Sequence, residues 1–180
     1  MSNPTFNNRP NLSFTCSDET GTKVIWASRS VAVCVLVTCT LPSGDRYVLI
    51  EQRGQGAPDF RGYFCLVCGY LDWDEELYQA ALRETWEEAG LNLAALEAGG
   101  MCTISRQPIF IDSRTTANRQ NVTARFLFEL RLDQLPELSS ENSEPDEIEQ
   151  LLWMLISEQQ LGNYKFCFNH DEVIRTHLLP

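Results

Sequence analysis

The chain has 180 residues, of which 43 % are hydrophobic, and this length suits one compact domain with a buried core. Its formal net charge of −11, with only two lysines, argues against the basic surface by which proteins bind nucleic-acid polymers. The longest uncharged apolar stretch, residues 31–39, is too short to cross a bilayer, so no membrane segment is expected.

The first residues are expected to form an extension outside the core. Residues 1–12 are polar, and two short apolar segments, 14–16 and 24–26, flank a turn sequence, which predicts a β-hairpin. We therefore divide the chain into an N-terminal extension, residues 1–29, and one domain, residues 30–180. The N-terminal residues lack a basic segment followed by an apolar one, which predicts a cytoplasmic protein without a signal peptide.

The domain contains alternating apolar segments with strand and helix patterns. Strands are predicted over residues 31–39, 47–52 and 63–68, and they are followed by a helix that ends near Gly90. Later elements are strands over 101–111, 122–132 and 151–155, loops over 115–120 and 136–149, and a terminal helix over 171–178. This irregular alternation predicts an α/β fold, with a mixed β-sheet between helices in an α/β/α sandwich.

Three carboxylates, those of Glu84, Glu87 and Glu88, crowd the last turn of the helix before Gly90. At about 100° per residue they fall within one arc of the helix. Like charges at these spacings repel, and the partial negative charge of a helix C-terminus disfavours acids. The pattern is typical of a site for a hard divalent cation, which takes carboxylate and phosphate oxygens. The alternative is a solvated acidic face of a surface helix.

The acidic residues belong to a longer pattern that begins before the helix. It reads Gly69, five residues, Glu75, seven residues, Arg83-Glu84-Thr85, one residue, Glu87-Glu88, one residue and Gly90-Leu91. This pattern resembles the Nudix box, the signature of the Nudix hydrolases, with every fixed position at the right spacing. One variable position departs from the family, because Thr85 stands where a bulky aliphatic residue is usual. Less specific resemblance extends over about residues 30–178.

The resemblance implies a Nudix fold and the hydrolysis of a phosphoanhydride bond in a nucleoside diphosphate linked to another moiety. In the family, the residues that match Glu84, Glu87 and Glu88 bind the metal, Mg²⁺ or Mn²⁺. Those that match Arg83 and Glu75 brace the loop and orient the acids. These five residues are the implied catalytic set.

The general base and the substrate contacts are left open. In the family the base is sometimes a box glutamate and sometimes an acid of the downstream loop, where the candidates are Glu144, Asp146, Glu147 and Glu149. Most of the positive charge is arginine, which suits bidentate phosphate recognition. Candidates for holding a diphosphate are Arg53, Arg61, Arg106, Arg114, Arg119 and Arg125. Candidates for stacking on a base are Trp26, Phe60, Tyr63 and Phe110, all of which are also typical core residues.

The expected partner is a small nucleotide, with a preference for ADP-ribose-like, nucleotide-sugar or dinucleotide diphosphates. Two other functions stay open. A catalytically silent nucleotide-binding regulatory module is disfavoured by the intact glutamate triad. An RNA 5′-end pyrophosphohydrolase is disfavoured by the charge of −11. A homodimer, with the N-terminal hairpin at its interface, is also open.

The cysteines and histidines complete the candidate residues. The seven cysteines, an odd number without a secretion signal, are expected to be reduced thiols. Cys65 and Cys68 lack a second pair at zinc spacing, and an extended strand would place them on opposite faces, which disfavours structural zinc. His170 and His177 are expected on the terminal helix in surface or capping roles.

Overall fold

The structure, a computed structural model, describes residues 12–27, 31–116 and 119–180. Strands β1 (Leu12–Asp18) and β2 (Gly21–Ala27) form an antiparallel hairpin that is separate from the main sheet. Residues 1–11 and 28–30 lie outside the described residues, so the division of the chain at residue 29 stays a prediction. None of the described helices is long and apolar enough to cross a membrane.

The domain follows in an irregular order of strands and helices. The first half contains β3 (Val31–Thr40), β4 (Arg46–Arg53), β5 (Phe64–Cys65), β6 (Val67–Tyr70), α1 (Leu77–Ala89) and α2 (Leu93–Ala98). The second half contains β7 (Cys102–Ile104), β8 (Phe110–Asp112), β9 (Thr115–Thr116), β10 (Arg119–Gln120), β11 (Val122–Arg131), β12 (Ile148–Leu155), α3 (Glu158–Leu161) and α4 (His170–Leu178).

The main sheet is mixed, as predicted. Its central order is β12-β4-β3-β11-β7, while β5 pairs with β4, β6 with β3 and β8 with β11. Strand β11 runs parallel to β3, with Val122 opposite Val31, and the other pairs of this sheet are antiparallel. Strands β9 and β10 form a separate short hairpin inside the segment predicted as a loop.

Helices cover both faces of this sheet. The alternation along β3 directs Val33 and Val35 into a core that includes Ala81 of α1. The intervening residues, Cys34 and Leu36, enter a second core, which α4 covers. Because β3 is buried on both faces, its sequence is apolar from Val31 to Val37. The α/β/α sandwich expected from the sequence is therefore present.

Two predicted strands are interrupted. The segment 63–68 divides at Leu66, whose backbone N–H donates to Nδ1 of His170 at 2.9 Å and not to another strand. The segment 101–111 divides into β7 and β8. Helices α2 and α3 were not predicted, because segments of six and four residues are too short to show a helical period.

Candidate active site

Helix α1 carries the box glutamates, and residues of the box fix its two ends. At its start, the backbone N–H of Glu76 donates to Oε1 of Gln79 at 2.7 Å. At its end, Gly90 has a φ of 70° and donates its N–H to the carbonyl of Trp86 at 2.9 Å. Glycine suits this left-handed position, so the helix stops just after the glutamates.

The buried guanidinium of Arg83 forms ion pairs with several of the box glutamates. Its side chain is 5 % exposed, and it donates to Glu75 at 2.8 Å, to Glu84 at 2.7 Å and to Glu87 at 2.9 Å. It also donates to the carbonyl of Tyr70 at 2.9 Å, which ties helix α1 to strand β6. These contacts support the bracing role that the box implies for Arg83 and Glu75.

Two of the three box glutamates are buried against β6, so the alternative of a solvated acidic face is wrong for them. Glu84 is 8 % exposed and Glu88 is 5 % exposed. The backbone N–H of Cys68 donates to Oε2 of Glu88 at 3.0 Å. At Gly69 the carboxylate of Glu84 occupies the place where a Cβ would lie, so a larger residue at this position of the box would displace that carboxylate.

A fourth carboxylate, outside the box, belongs to the same cluster. Glu51 of β4 is 2 % exposed and lies opposite Cys65, whose thiol donates to its Oε1 at 3.1 Å. Its carboxylate is within hydrogen-bonding reach of Glu88. Glu51 was not predicted as a site residue, although a lone acid after the apolar residues 48–50 is a signal of an unusual buried charge.

Burial leaves this cluster with excess negative charge. It raises the pKa of Glu84 to about 8 against the opposing effect of Arg83, and the pKa of Glu51 to about 7. Burial, with Glu51 and Glu84 as neighbours, raises the pKa of Glu88 well above its usual range. Buried carboxylate oxygens with uncompensated charge fit a hard divalent cation.

The carboxylates are paired with protein groups in this structure. Among the described residues, no three side chains of the His, Cys, Asp and Glu types are placed to surround a metal ion. Glu84 and Glu87 are instead turned toward the guanidinium of Arg83. The donor chemistry therefore fits Mg²⁺ or Mn²⁺, while the observed side-chain positions are those of an arginine-paired cluster.

A cavity of about 740 Å³ opens over the cluster, and its lining includes acids of the box and of the loop before β12. The box contributes Glu84, Glu87 and Glu88, and the loop before β12 contributes Glu144 and Glu147. The described residues that line this cavity do not include the other candidate bases of that loop, Asp146 and Glu149.

Backbone contacts hold the acidic loop against the end of β4. Gly54 donates to the carbonyl of Glu147 at 2.6 Å, and Gly56 donates to that of Asp146 at 2.7 Å. A Cβ at Gly54 would collide with the Asp146 carbonyl, so this close approach requires glycine. The loop thereby presents Glu147 to the cavity, where burial raises the pKa of its carboxyl group.

Three of the predicted phosphate-binding arginines line the same cavity: Arg53, Arg114 and Arg125. Asp112 accepts hydrogen bonds from both Arg114 and Arg125, so the three side chains carry one net positive charge. Arg125 is 8 % exposed and also lies over the ring of Phe110, 5.0 Å from its centroid. The result is a cationic group in a cavity whose remaining charges are largely acidic.

The other arginine candidates lie elsewhere. Arg106 pairs with Glu97 at 2.8 Å, and Arg61 donates to the carbonyl of Ala57 at 2.8 Å, and neither lines the cavity. The side chain of Arg119 lies outside the described part of the chain. The sequence could not separate these groups, because all six have the same chemistry and their positions depend on the sheet.

The surface or capping role expected for His170 is wrong. This residue is 6 % exposed, lines the cavity, and accepts the Leu66 N–H through Nδ1. Nε2 therefore carries the proton, and it lies 3.6 Å from the thiol of Cys34. Burial, together with the charges of Arg125 and Arg53, lowers the pKa of His170 to about 3, so the ring is neutral.

The cavity is lined by the aromatic residues Phe168 and Tyr70, neither of which was among the predicted stacking candidates. Phe168 lines the cavity, whereas Phe60, Tyr63 and Phe110 do not. Phe60 packs against Phe168 with ring centroids 5.0 Å apart. The side chain of Trp26 lies outside the described residues. Phe168 precedes α4 with a φ of 55°, a backbone conformation that no local sequence pattern predicts.

The described cysteines are free thiols, as expected. The single extended strand that the predicted opposite-face placement of Cys65 and Cys68 assumes is interrupted at Leu66. A hydrogen bond with the thiol of Cys65, together with burial, raises the pKa of Cys68 well above its usual range. Both groups are therefore protonated, unreactive thiols next to Glu51 at neutral pH.

Comparison with known proteins places the chain in a family. The NUDIX domain family matches residues 28–176. Nudix hydrolase 3 of Caenorhabditis elegans is 35 % identical over 69 residues, which cover 38 % of this chain and 29 % of that protein. The matched part therefore spans less than a third of that relative.

Solved structures share the fold at low sequence identity. A Nudix hydrolase from M. smegmatis, RenU, has a TM-score of 0.62 at 18 % identity and covers 91 % of each chain. A C. elegans Ap4A hydrolase complex has a TM-score of 0.56 at 20 % identity, with 81 % of this chain and 92 % of that chain covered. The NUDIX domain of Shewanella oneidensis NrtR, solved with ADP ribose, has a TM-score of 0.58 at 16 % identity, with 81 % of this chain and 83 % of that chain covered.

These comparisons confirm the resemblance stated from the box and the predicted fold. The family match covers most of the domain, and it includes the whole segment from Gly69 to Leu91. The hydrolase names of the relatives agree with the enzyme class that the box implies. The chain belongs to the NUDIX domain family.

Proposed function

We propose that the protein is a metal-dependent Nudix pyrophosphohydrolase that cleaves a phosphoanhydride bond in a small nucleotide. The observation that carries the proposal is the burial of Glu84 and Glu88 at a cavity that also contains Arg114 and Arg125. Buried acids beside a cavity with arginines suit a substrate that brings phosphates and a cation together.

Each group of the cavity has a role in this proposal. Glu84, Glu87 and Glu88 would hold Mg²⁺ or Mn²⁺, which when bound supplies charge neutralisation and an acidified water. Arg83 forms ion pairs with Glu84 and Glu87 and so holds these two acids in position. The same ion pairs keep the guanidinium protonated. The arginines that line the cavity would bind phosphate oxygens directly, because carboxylates repel these oxygens.

The general base is proposed to be Glu147 or Glu144, because both line the cavity. Glu147 is the better acceptor, since burial raises the pKa of its carboxyl group toward the pH at which it would take a proton. The neutral His170 keeps a proton on Nε2, so it would serve as a hydrogen-bond donor and not as a base.

The substrate preference stays a proposal. The cavity volume suits a nucleotide-sized molecule. Structural relatives named for Ap4A hydrolysis or solved with ADP ribose support the preference for dinucleotide or ADP-ribose-like diphosphates. The acidic surface continues to disfavour an RNA 5′ end as substrate.

We also propose a cytoplasmic location and leave the homodimer open. Phe14 and Val24 of the hairpin are 56 % and 58 % exposed, which supports a role for this hairpin in an interface. Sedimentation of the full chain over a range of concentrations would test this, and a species of constant monomer mass would exclude the dimer.

A hydrolysis screen tests the proposed function. ADP-ribose, NADH, UDP- and GDP-sugars, diadenosine polyphosphates, CoA and nucleoside triphosphates are incubated with the protein and Mg²⁺, Mn²⁺ or EDTA. Metal-dependent release from one subset, lost in E88Q, would support the enzyme and identify the substrate class. Binding of one compound without turnover would favour the silent regulatory module. Metal-dependent activity on 5′-triphosphorylated RNA alone would favour the RNA alternative.

A further inference from the structure

A buried carboxylate outside the box faces the box glutamates from a neighbouring strand. Glu51 lies on β4, on the same face of the sheet as Leu49, which belongs to the core under α1. Since side chains alternate along a strand, Glu51 is directed toward this helix. Its side chain is 2 % exposed, so water does not solvate its charge.

The two oxygens of Glu51 have unequal surroundings. Oε1 accepts a hydrogen bond from the thiol of Cys65 at 3.1 Å. Oε2 is buried without a hydrogen-bond partner. A buried acceptor without a donor is rare in native proteins and requires an explanation, such as a bound ion, a water or a catalytic role.

The unpartnered oxygen belongs to a carboxylate within hydrogen-bonding reach of Glu88. Glu88 itself receives the backbone N–H of Cys68 at 3.0 Å. Among the described residues, Arg83 forms ion pairs with Glu84 and Glu87, while Glu51 and Glu88 have none. Two buried acids in contact without an ion-pair partner are unfavourable in their charged forms, and a cation between them removes the cost.

We propose that Glu51 is a fourth carboxylate ligand of the divalent-metal site and that its Oε2 supplies the ligating oxygen. This inference rests on the proposed function, because it assumes that the box glutamates bind the ion. It adds to the box a residue from a strand that is distant in sequence. The ligand set would then combine the last turn of α1 with the end of β4.

The test is Mn²⁺ binding to the full chain, measured by calorimetry and by the electron paramagnetic resonance signal of free Mn²⁺. Coordination requires both the charge and the reach of the side chain. We therefore expect E51Q and E51D each to weaken Mn²⁺ binding by about tenfold or more. E141Q, which removes the charge of an exposed glutamate, is the matched control and is expected to bind like the wild type.

Three outcomes would overturn the inference. Wild-type affinity in both Glu51 variants, with weak binding in E88Q, would exclude Glu51 and keep the box site. Weak binding in E51Q with wild-type affinity in E51D would show that only the charge matters. Wild-type affinity in E88Q as well would remove the metal site of the proposed function together with this inference.

Unfolding of the metal-free variants in urea separates ligation from misfolding. E51Q removes a buried repulsion, so we expect it to unfold at a higher urea concentration than the wild type without metal. Added Mn²⁺ should raise the midpoint of the wild type more than that of E51Q. An equal rise in both proteins would contradict the ligand role.

Discussion

Nδ1 of His170 accepts the backbone N–H of Leu66 at 2.9 Å, across 104 positions of the chain. The bond joins the first residue of α4 to the gap between β5 and β6, just before the box. Since the N–H of Leu66 has no strand partner there, the histidine replaces a bond of the sheet. The terminal helix thereby helps to shape the strand that approaches Glu84 and Glu88.

We expect H170A to lose stability, because it leaves a buried N–H unsatisfied, at a cost of about 1–3 kcal/mol. H170N is the matched variant, since its Oδ1 can take the place of Nδ1. We expect it to recover part of the loss. Urea unfolding of the three proteins checks this. Equal stability of H170A and H170N would show that the hydrogen bond contributes nothing.

The metal-free protein should lose stability as the pH rises. The pKa of Glu51, about 7, and that of Glu84, about 8, lie above the usual value of 4.5. The contribution of these two carboxyl groups to the free energy of unfolding is therefore fully present below pH 4.5. It is lost as the pH rises through 7 and 8. Thermal unfolding in EDTA checks this. The E51Q/E84Q double variant should lack that part of the decline, and a wild-type midpoint that rises between pH 6 and pH 8 would contradict it.

E87Q and E88Q should each lower kcat by about two orders of magnitude or more, because they remove ligands of the proposed ion. Without metal, the stability of E88Q should equal or exceed that of the wild type, since a buried repulsion is relieved. Steady-state kinetics and urea unfolding measure the two effects. Activity within about tenfold of wild type would exclude these residues from the metal site.

R114Q should weaken substrate binding with little effect on folding. The Arg114 side chain lines the cavity but is 63 % exposed, so its loss costs little packing. We expect KM to rise by about tenfold, as for a lost charged hydrogen bond. R106Q, whose arginine is also exposed and ion-paired but lies outside the cavity, is the control. Equal KM values in both variants would remove Arg114 from the phosphate site.

The sequence was sufficient wherever the determinants are local. The apolar run of residues 31–39 predicted a strand, and Gly90 predicted the end of α1, because each depends on neighbouring residues only. The spacing of the box predicted Glu84, Glu87 and Glu88 as site residues, and all three line the cavity.

Features that depend on distant contacts were missed. The break at Leu66 requires His170, which is brought there by the final helix. Glu51 joins the acids only because the sheet register places it opposite Cys65. The choice among six arginines likewise depends on which strands border the cavity, and no local pattern encodes that.

The parallel pairing of β3 with β11 has a consequence for the order of folding. Residues 41–121, including the entire box, lie in the loop that this pairing closes. Contacts between residues so far apart in sequence are slow to form. The glutamates of α1 can therefore reach their final neighbours only after a long-range encounter. We expect a nascent chain in which β11 has not yet been synthesised to contain every residue of the box without the native arrangement of its glutamates.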